Sequence, residues 1–168
     1  DGAHCLCLPN AYYNNHTGQC IIKYQWMNYT PELFKSFKLV YVVSDLKHPD
    51  IVGRLIDKNG DKIPLQGKIF VDKTDVLYNQ SIKKSDNTEV LVIEFGQYDW
   101  IESRNGIKRD DAIEGGKIGD EIVYVCRVHD GHNFYAGVMI PSNHSCNVQS
   151  LNEYTKNYQL LIHKLIFR

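Results

Sequence analysis

The sequence predicts an all-β fold made of two diverged copies of one repeat, preceded by a short cysteine-containing extension. Three observations carry that expectation. The apolar runs have strand length, turn pairs rich in Gly punctuate them, and an ordered set of short motifs recurs once along the chain.

The clearest strand is Ile122-Val123-Tyr124-Val125-Cys126-Arg127-Val128, a β-branched and aromatic run bounded by Gly119 and by Asp130-Gly131. Tyr41-Val42-Val43, Lys68-Ile69-Phe70-Val71 and Glu89-Val90-Leu91-Val92-Ile93 read the same way. Asn59-Gly60 and Asp130-Gly131 supply the positive φ that tight hairpins demand. The one helical signal is Pro31-Glu32-Leu33-Phe34-Lys35-Ser36-Phe37, with Thr30 as N-cap and Pro31 at the first position. Antiparallel sheets are therefore expected.

Residues 24–93 and 98–162 carry the recurring motifs in the same order. Tyr24-Gln25-Trp26 matches Tyr98-Asp99-Trp100, Leu39-Val40 matches Ala112-Ile113, and Val52-Gly53-Arg54-Leu55 matches Val125-Cys126-Arg127-Val128. Past the turn, Gln66-Gly67-Lys68-Ile69 is set against Ala136-Gly137-Val138-Met139, and Val90-Leu91-Val92-Ile93 against Gln159-Leu160-Leu161-Ile162. No linker rich in Gly, Pro or Ser divides the copies, so residues 24–168 are expected to form one cooperative domain about a pseudo-twofold axis, with residues 1–23 as the extension.

Composition narrows the function classes. Lys plus Arg number 19 against 20 Asp plus Glu, which gives no bulk field for nucleic acid or anionic membrane. No apolar run approaches the roughly 20 residues that span a bilayer. Glycosylation sequons stand at Asn15, Asn28, Asn79 and Asn143, more than the one or two expected by chance. With five cysteines, Cys5, Cys7, Cys20, Cys126 and Cys146, they point to a secreted, disulfide-bonded chain. Cys5 and Cys7 are too close to bridge each other, so one of them is expected to pair with Cys20, and Cys126 with Cys146 across neighbouring strands. The odd cysteine permits a homodimer.

Seven histidines invite a metal or catalytic reading, and His129 and His132 are close in sequence. No metal-ligand spacing, glycine-flanked nucleophile or phosphate loop accompanies them, so no metal, cofactor or enzymatic activity is expected. Arg54 and Arg127, inside apolar strands, read as structural arginines bonded to carbonyls or a carboxylate. Trp26 and Trp100 read as core.

The run Trp100, Gly106, Ala112-Ile113-Glu114-Gly115-Gly116, Tyr124-Val125-Cys126-Arg127, Ala136-Gly137 and Tyr158-Gln159-Leu160-Leu161 resembles the DM-nine (DM9) repeat over residues 98–162, and residues 24–93 resemble it faintly. The resemblance implies a small all-β unit used in tandem, found in insects and molluscs. It also implies recognition, by mannose-binding lectins or by proteins that meet microbes at secreted or gut surfaces. Their sugar site resembles an acidic residue after the Gly-Gly turn working with a Lys in a following Gly-Lys pair. Here Ile118 and Val138 take those places in the second copy, while the first offers Asp45 and Lys68 as candidate ligand-binding residues. The expectation is a secreted recognition protein, in a setting such as arthropod saliva, gut or cuticle, that binds an extracellular protein or glycoprotein. A mannose-type lectin using Asp45 and Lys68 is the alternative.

Overall fold

The computed structural model describes residues 7–36, 38–43, 50–70, 73–78, 87–148 and 153–165. The fold is all-β and antiparallel, with a two-stranded, a five-stranded and a seven-stranded sheet.

The two-stranded sheet is the hairpin of β1 (Ala11–Asn14) and β2 (Gln19–Ile22), fastened by the Cys7–Cys20 disulfide. Cys7 is thus the partner of Cys20, and Cys5 lies outside the described residues. The first large sheet contains β3 (Tyr24–Met27), β4 (Asp50–Ile56), β5 (Lys62–Phe70), β6 (Lys73–Tyr78) and β7 (Thr88–Ile93), in the order β3-β7-β4-β5-β6. The helix α1 (Pro31–Lys35) forms where Thr30 and Pro31 announce it, and Leu33 packs with Met27 and Tyr29 on the cluster of Leu39, Ile51, Leu65, Val90 and Val92.

The second large sheet contains β8 (Gln97–Arg104), β9 (Glu114–Ile118), β10 (Glu121–His129), β11 (Phe134–Ile140), β12 (Ser145–Val148), β13 (Glu153–Thr155) and β14 (Asn157–Lys164). Its order is β13-β12-β11-β10-β14-β8, with β9 pairing β10. From β8 inward, this is the strand order of the first sheet read from β3. The isolated bridge Leu39↔Val92 has its counterpart in Ala112↔Ile162.

The ladders correct three details of the sequence reading. Tyr41-Val42-Val43 is not a strand: Tyr41 makes a single bridge to Ile51, whereas the corresponding Glu114–Ile118 extends into β9. In the last strands Val92 corresponds to Ile162, so Leu91 faces the shared core with Leu161, one residue from the sequence match. In the hairpins Arg54 pairs with Pro64 and Arg127 with Ala136, which sets Gln66, opposite Val52, against Val138, opposite Val125. The sequence match was displaced there by two residues. The last strands are buried on both faces, so alternation gives no warning of a slip there.

The main core lies between the two large sheets: Tyr24, Val40, Val42, Val52 and Leu91 meet Ile113, Val125, Ala136 and Leu161. A separate cluster backs the second sheet and contains the Cys126–Cys146 disulfide. These cysteines sit on β10 and β12, with β11 between them, and their Cα atoms are 6.1 Å apart. Gly137 of β11 permits this fold-over, since a Cβ there would stand 2.2 Å from the Asn147 carbonyl oxygen.

Candidate binding site at the sheet interface

Each Tyr-x-Trp motif reaches across the interface and grips one residue of the opposite sheet. The Glu114 amide donates to the Tyr24 hydroxyl at 3.1 Å, and the Trp26 indole N–H donates to the Glu114 carbonyl at 3.0 Å. In the reverse direction the Tyr41 amide donates to the Tyr98 hydroxyl at 3.2 Å, and the Trp100 indole donates to the Tyr41 carbonyl at 3.3 Å. The backbone N–H and C=O of Glu114 and of Tyr41 are therefore both satisfied by side chains from the opposite sheet. Burial pushes the Tyr24 hydroxyl up to about 12, against the opposing effect of the Glu114 amide, so it stays a neutral acceptor.

The arginines complete both clasps. Arg54 Nη1 donates to the Gly115 carbonyl at 3.0 Å and Arg127 Nη1 to the Val42 carbonyl. Each guanidinium lies 4.7 Å from the centroid of its own sheet's Trp ring, Arg54 over Trp26 and Arg127 over Trp100. Burial lowers the affinity of both guanidiniums for their proton. Beyond this point they differ. Glu89 accepts from Arg54 Nε at 2.8 Å and Nη2 at 2.6 Å. On the other sheet Gln159 stands opposite Arg127 in the ladder, as Glu89 stands opposite Arg54, and it accepts from Nε alone at 2.6 Å. The Phe134 ring also approaches Arg127, 4.0 Å from centroid to Cζ.

The arginines are thus structural, bonded to carbonyls and, for Arg54, to a carboxylate. The sequence reading missed Glu89, Gln159 and Phe134, because strand-to-strand partners leave no local signal. Glu89 stands opposite Arg54 and Gln159 opposite Arg127 in the ladders, and Phe134 two residues before Ala136, which also pairs with Arg127, so all three require the register.

Of the sugar-type candidates, Asp45 lies outside the described residues, and of Lys68 only the backbone is described, opposite Asp50. Ile118 is half-buried and Val138 is 2 % exposed. Gln66, which takes the place of Val138 in the first sheet, accepts the Ala136 amide at 2.9 Å. The sequon residues Asn15, Asn28 and Asn143 are exposed, and Asn79 lies outside the described residues. Among the described residues no three His, Cys, Asp or Glu side chains gather as a metal site, and no helix is long and apolar enough to cross a membrane. The ring of His129 lies 4.5 Å from that of Phe134, and His129 and His132 are both exposed.

The family model of the DM9 repeat matches residues 47–157, more than half of the chain. The chain belongs to the DM9 repeat family. The matched span begins beside β4 of the first sheet and ends at the start of β14, so it draws on both large sheets and on both arginine clasps. DM9 repeats suggest a binding or recognition role. No curated protein matches the chain.

Proposed function

We propose that this DM9 protein is a secreted, non-enzymatic recognition protein whose partner is an extracellular protein or glycoprotein. The observation that carries the reading is the chemistry at the two places where the family's lectins hold an acid and a lysine. In the second copy these are Ile118 and the buried Val138, neither of which exchanges a hydrogen bond with a sugar hydroxyl. In the first copy the ladder brings Gln66 to the place of Val138, and its Oε1 atom is occupied by a backbone amide. The cross-sheet clasps are retained in both directions. Clasps present in both directions, beside side chains at Ile118 and Val138 that cannot bond a sugar hydroxyl, support a different ligand. Two disulfides and exposed sequon residues at Asn15, Asn28 and Asn143 support an extracellular setting of the salivary, gut or cuticle type.

The test is retention of extracellular proteins on the immobilised, oxidised chain, repeated with Asp45→Ala and Lys68→Ala and with enzymatically deglycosylated partner. Retention that survives all three supports the reading. Loss in either variant, or on deglycosylation, transfers the function to a mannose-type lectin site.

A further inference from the structure

The two arginine clasps occupy equivalent places but are not closed alike. Arg54 has a carboxylate on two of its nitrogens. Arg127 has a neutral amide on Nε and a carbonyl on Nη1, and no carboxylate within ion-pair distance among the described residues. Its remaining nitrogen, Nη2, has no hydrogen-bond partner there and is not sealed from solvent. The nearest acids are engaged elsewhere: Asp99 with Lys164 Nζ at 2.7 Å, and Glu102 with the Gln159 amide at 2.9 Å. The guanidinium lies against the rings of both Trp100 and Phe134, with the exposed His129 against Phe134. A planar cation fixed by two rings is a preorganised donor, and Arg with aromatic neighbours is the composition that dominates binding energy at protein interfaces.

We propose that Arg127, clamped by Trp100 and Phe134 beside His129, is the docking point for a carboxylate side chain of an acidic protein segment, with Nη2 as the free donor. This rests on the protein-recognition reading above and names the chemistry of the partner. The half-buried Trp100, Phe134 and Val43 pack against the same core cluster, and apolar surroundings suit the side chains of a peptide better than the hydroxyls of a sugar.

The experiment is fluorescence polarisation of the oxidised full chain with a labelled peptide of alternating Glu and Leu, against the same peptide with Gln for Glu. Saturable binding of the Glu peptide alone, weakening as salt is raised, is expected. Gln159→Glu gives Arg127 the carboxylate that Glu89 gives Arg54, and it should weaken binding about tenfold or more while thermal unfolding shows the fold intact. Arg127→Gln should weaken binding as well, but it also removes the donor to the Val42 carbonyl, so Gln159→Glu is the deciding variant. Equal binding of the Gln peptide, or Glu-peptide binding unchanged in a folded Gln159→Glu variant, overturns the proposal. So does binding of sialylated or uronate oligosaccharides without binding of the Glu peptide. A failure of the retention test through Asp45 and Lys68 would leave these peptide outcomes unaffected, so the two readings fail separately.

Discussion

Arg54 donates to the carbonyl of Gly115, 61 positions away in sequence and on the opposite sheet, at 3.0 Å. Arg127 returns the same bond to Val42. Each sheet thus completes backbone hydrogen bonding on the other.

The first consequence concerns the charge pair. The Arg54 side chain is 9 % exposed and that of Glu89 21 %, so removing one partner strands a largely buried charge. Arg54→Met should lower unfolding free energy by about 3–5 kcal/mol, and adding Glu89→Leu should recover much of that loss. Urea midpoints at constant m value read both effects.

The tryptophans test whether residues 24–168 unfold as a unit. Trp26→Phe removes the donor to Glu114 and Trp100→Phe the donor to Tyr41. Each should cost about 1–3 kcal/mol, because a partly buried carbonyl loses its partner. Each variant also leaves one tryptophan as a reporter on one sheet. The fluorescence transitions of the two should each coincide with loss of circular dichroism in the same variant; fluorescence and dichroism curves that separate would mean that the copies unfold independently.

Much of this arrangement was legible in the sequence, and the illegible parts have a common cause. Tyr24-Gln25-Trp26 with Tyr98-Asp99-Trp100, and Arg54 with Arg127, were visible because rare residue types recur in order. The match of Leu91 to Leu161 was missed by one residue, since Val90-Leu91-Val92 and Leu160-Leu161-Ile162 are buried on both faces and carry no alternation. The hairpin match slipped by two because it set Gly67 against Gly137, whereas the turns, Asp57–Asp61 and Asp130–Asn133, differ in length by a single residue. That slip is why Lys68, and not Gln66, was set against Val138. Of the cysteine pairs, spacing pointed to Cys126 with Cys146, but the fold-over of β12 past β11 needs the missing Cβ of Gly137, which is a tertiary fact.

Acid should weaken the fold through His163. It is 6 % exposed beside Tyr24, and its Nε2 meets the Phe95 carbonyl in the connection between the sheets. Burial lowers its proton affinity, the Phe95 carbonyl opposes that, and Lys23 adds to it. The unfolded chain takes up a proton near the ordinary value of 6.5, whereas the folded chain resists until the pH is lower. This contribution is therefore fully present above that value and is lost as pH falls below it. His163→Gln, which keeps a donor for Phe95, should flatten the slope of stability against pH in that window; an unchanged slope would place the titration elsewhere.

The two disulfides should differ in effect. Cys126–Cys146 closes a separation of 20 residues inside a buried cluster, and replacing both by Val should cost about 3 kcal/mol. Cys7–Cys20 fastens a two-stranded hairpin outside the main core, so Cys7→Ser with Cys20→Ser should leave the main unfolding transition nearly in place and expose the hairpin to protease. Gly137→Ala should cost about 1–3 kcal/mol with the disulfide intact, because its Cβ meets the Asn147 carbonyl. Calorimetry of the three variants distinguishes these outcomes.

The most direct measurement is a glycan array probed with the fully oxidised protein beside its Asp45→Ala variant. The account predicts no binding to mannose-type glycans by either protein, because the proposed ligand is a protein surface. Mannose-type binding that the Asp45→Ala variant loses would contradict it and establish a working lectin site in the first copy.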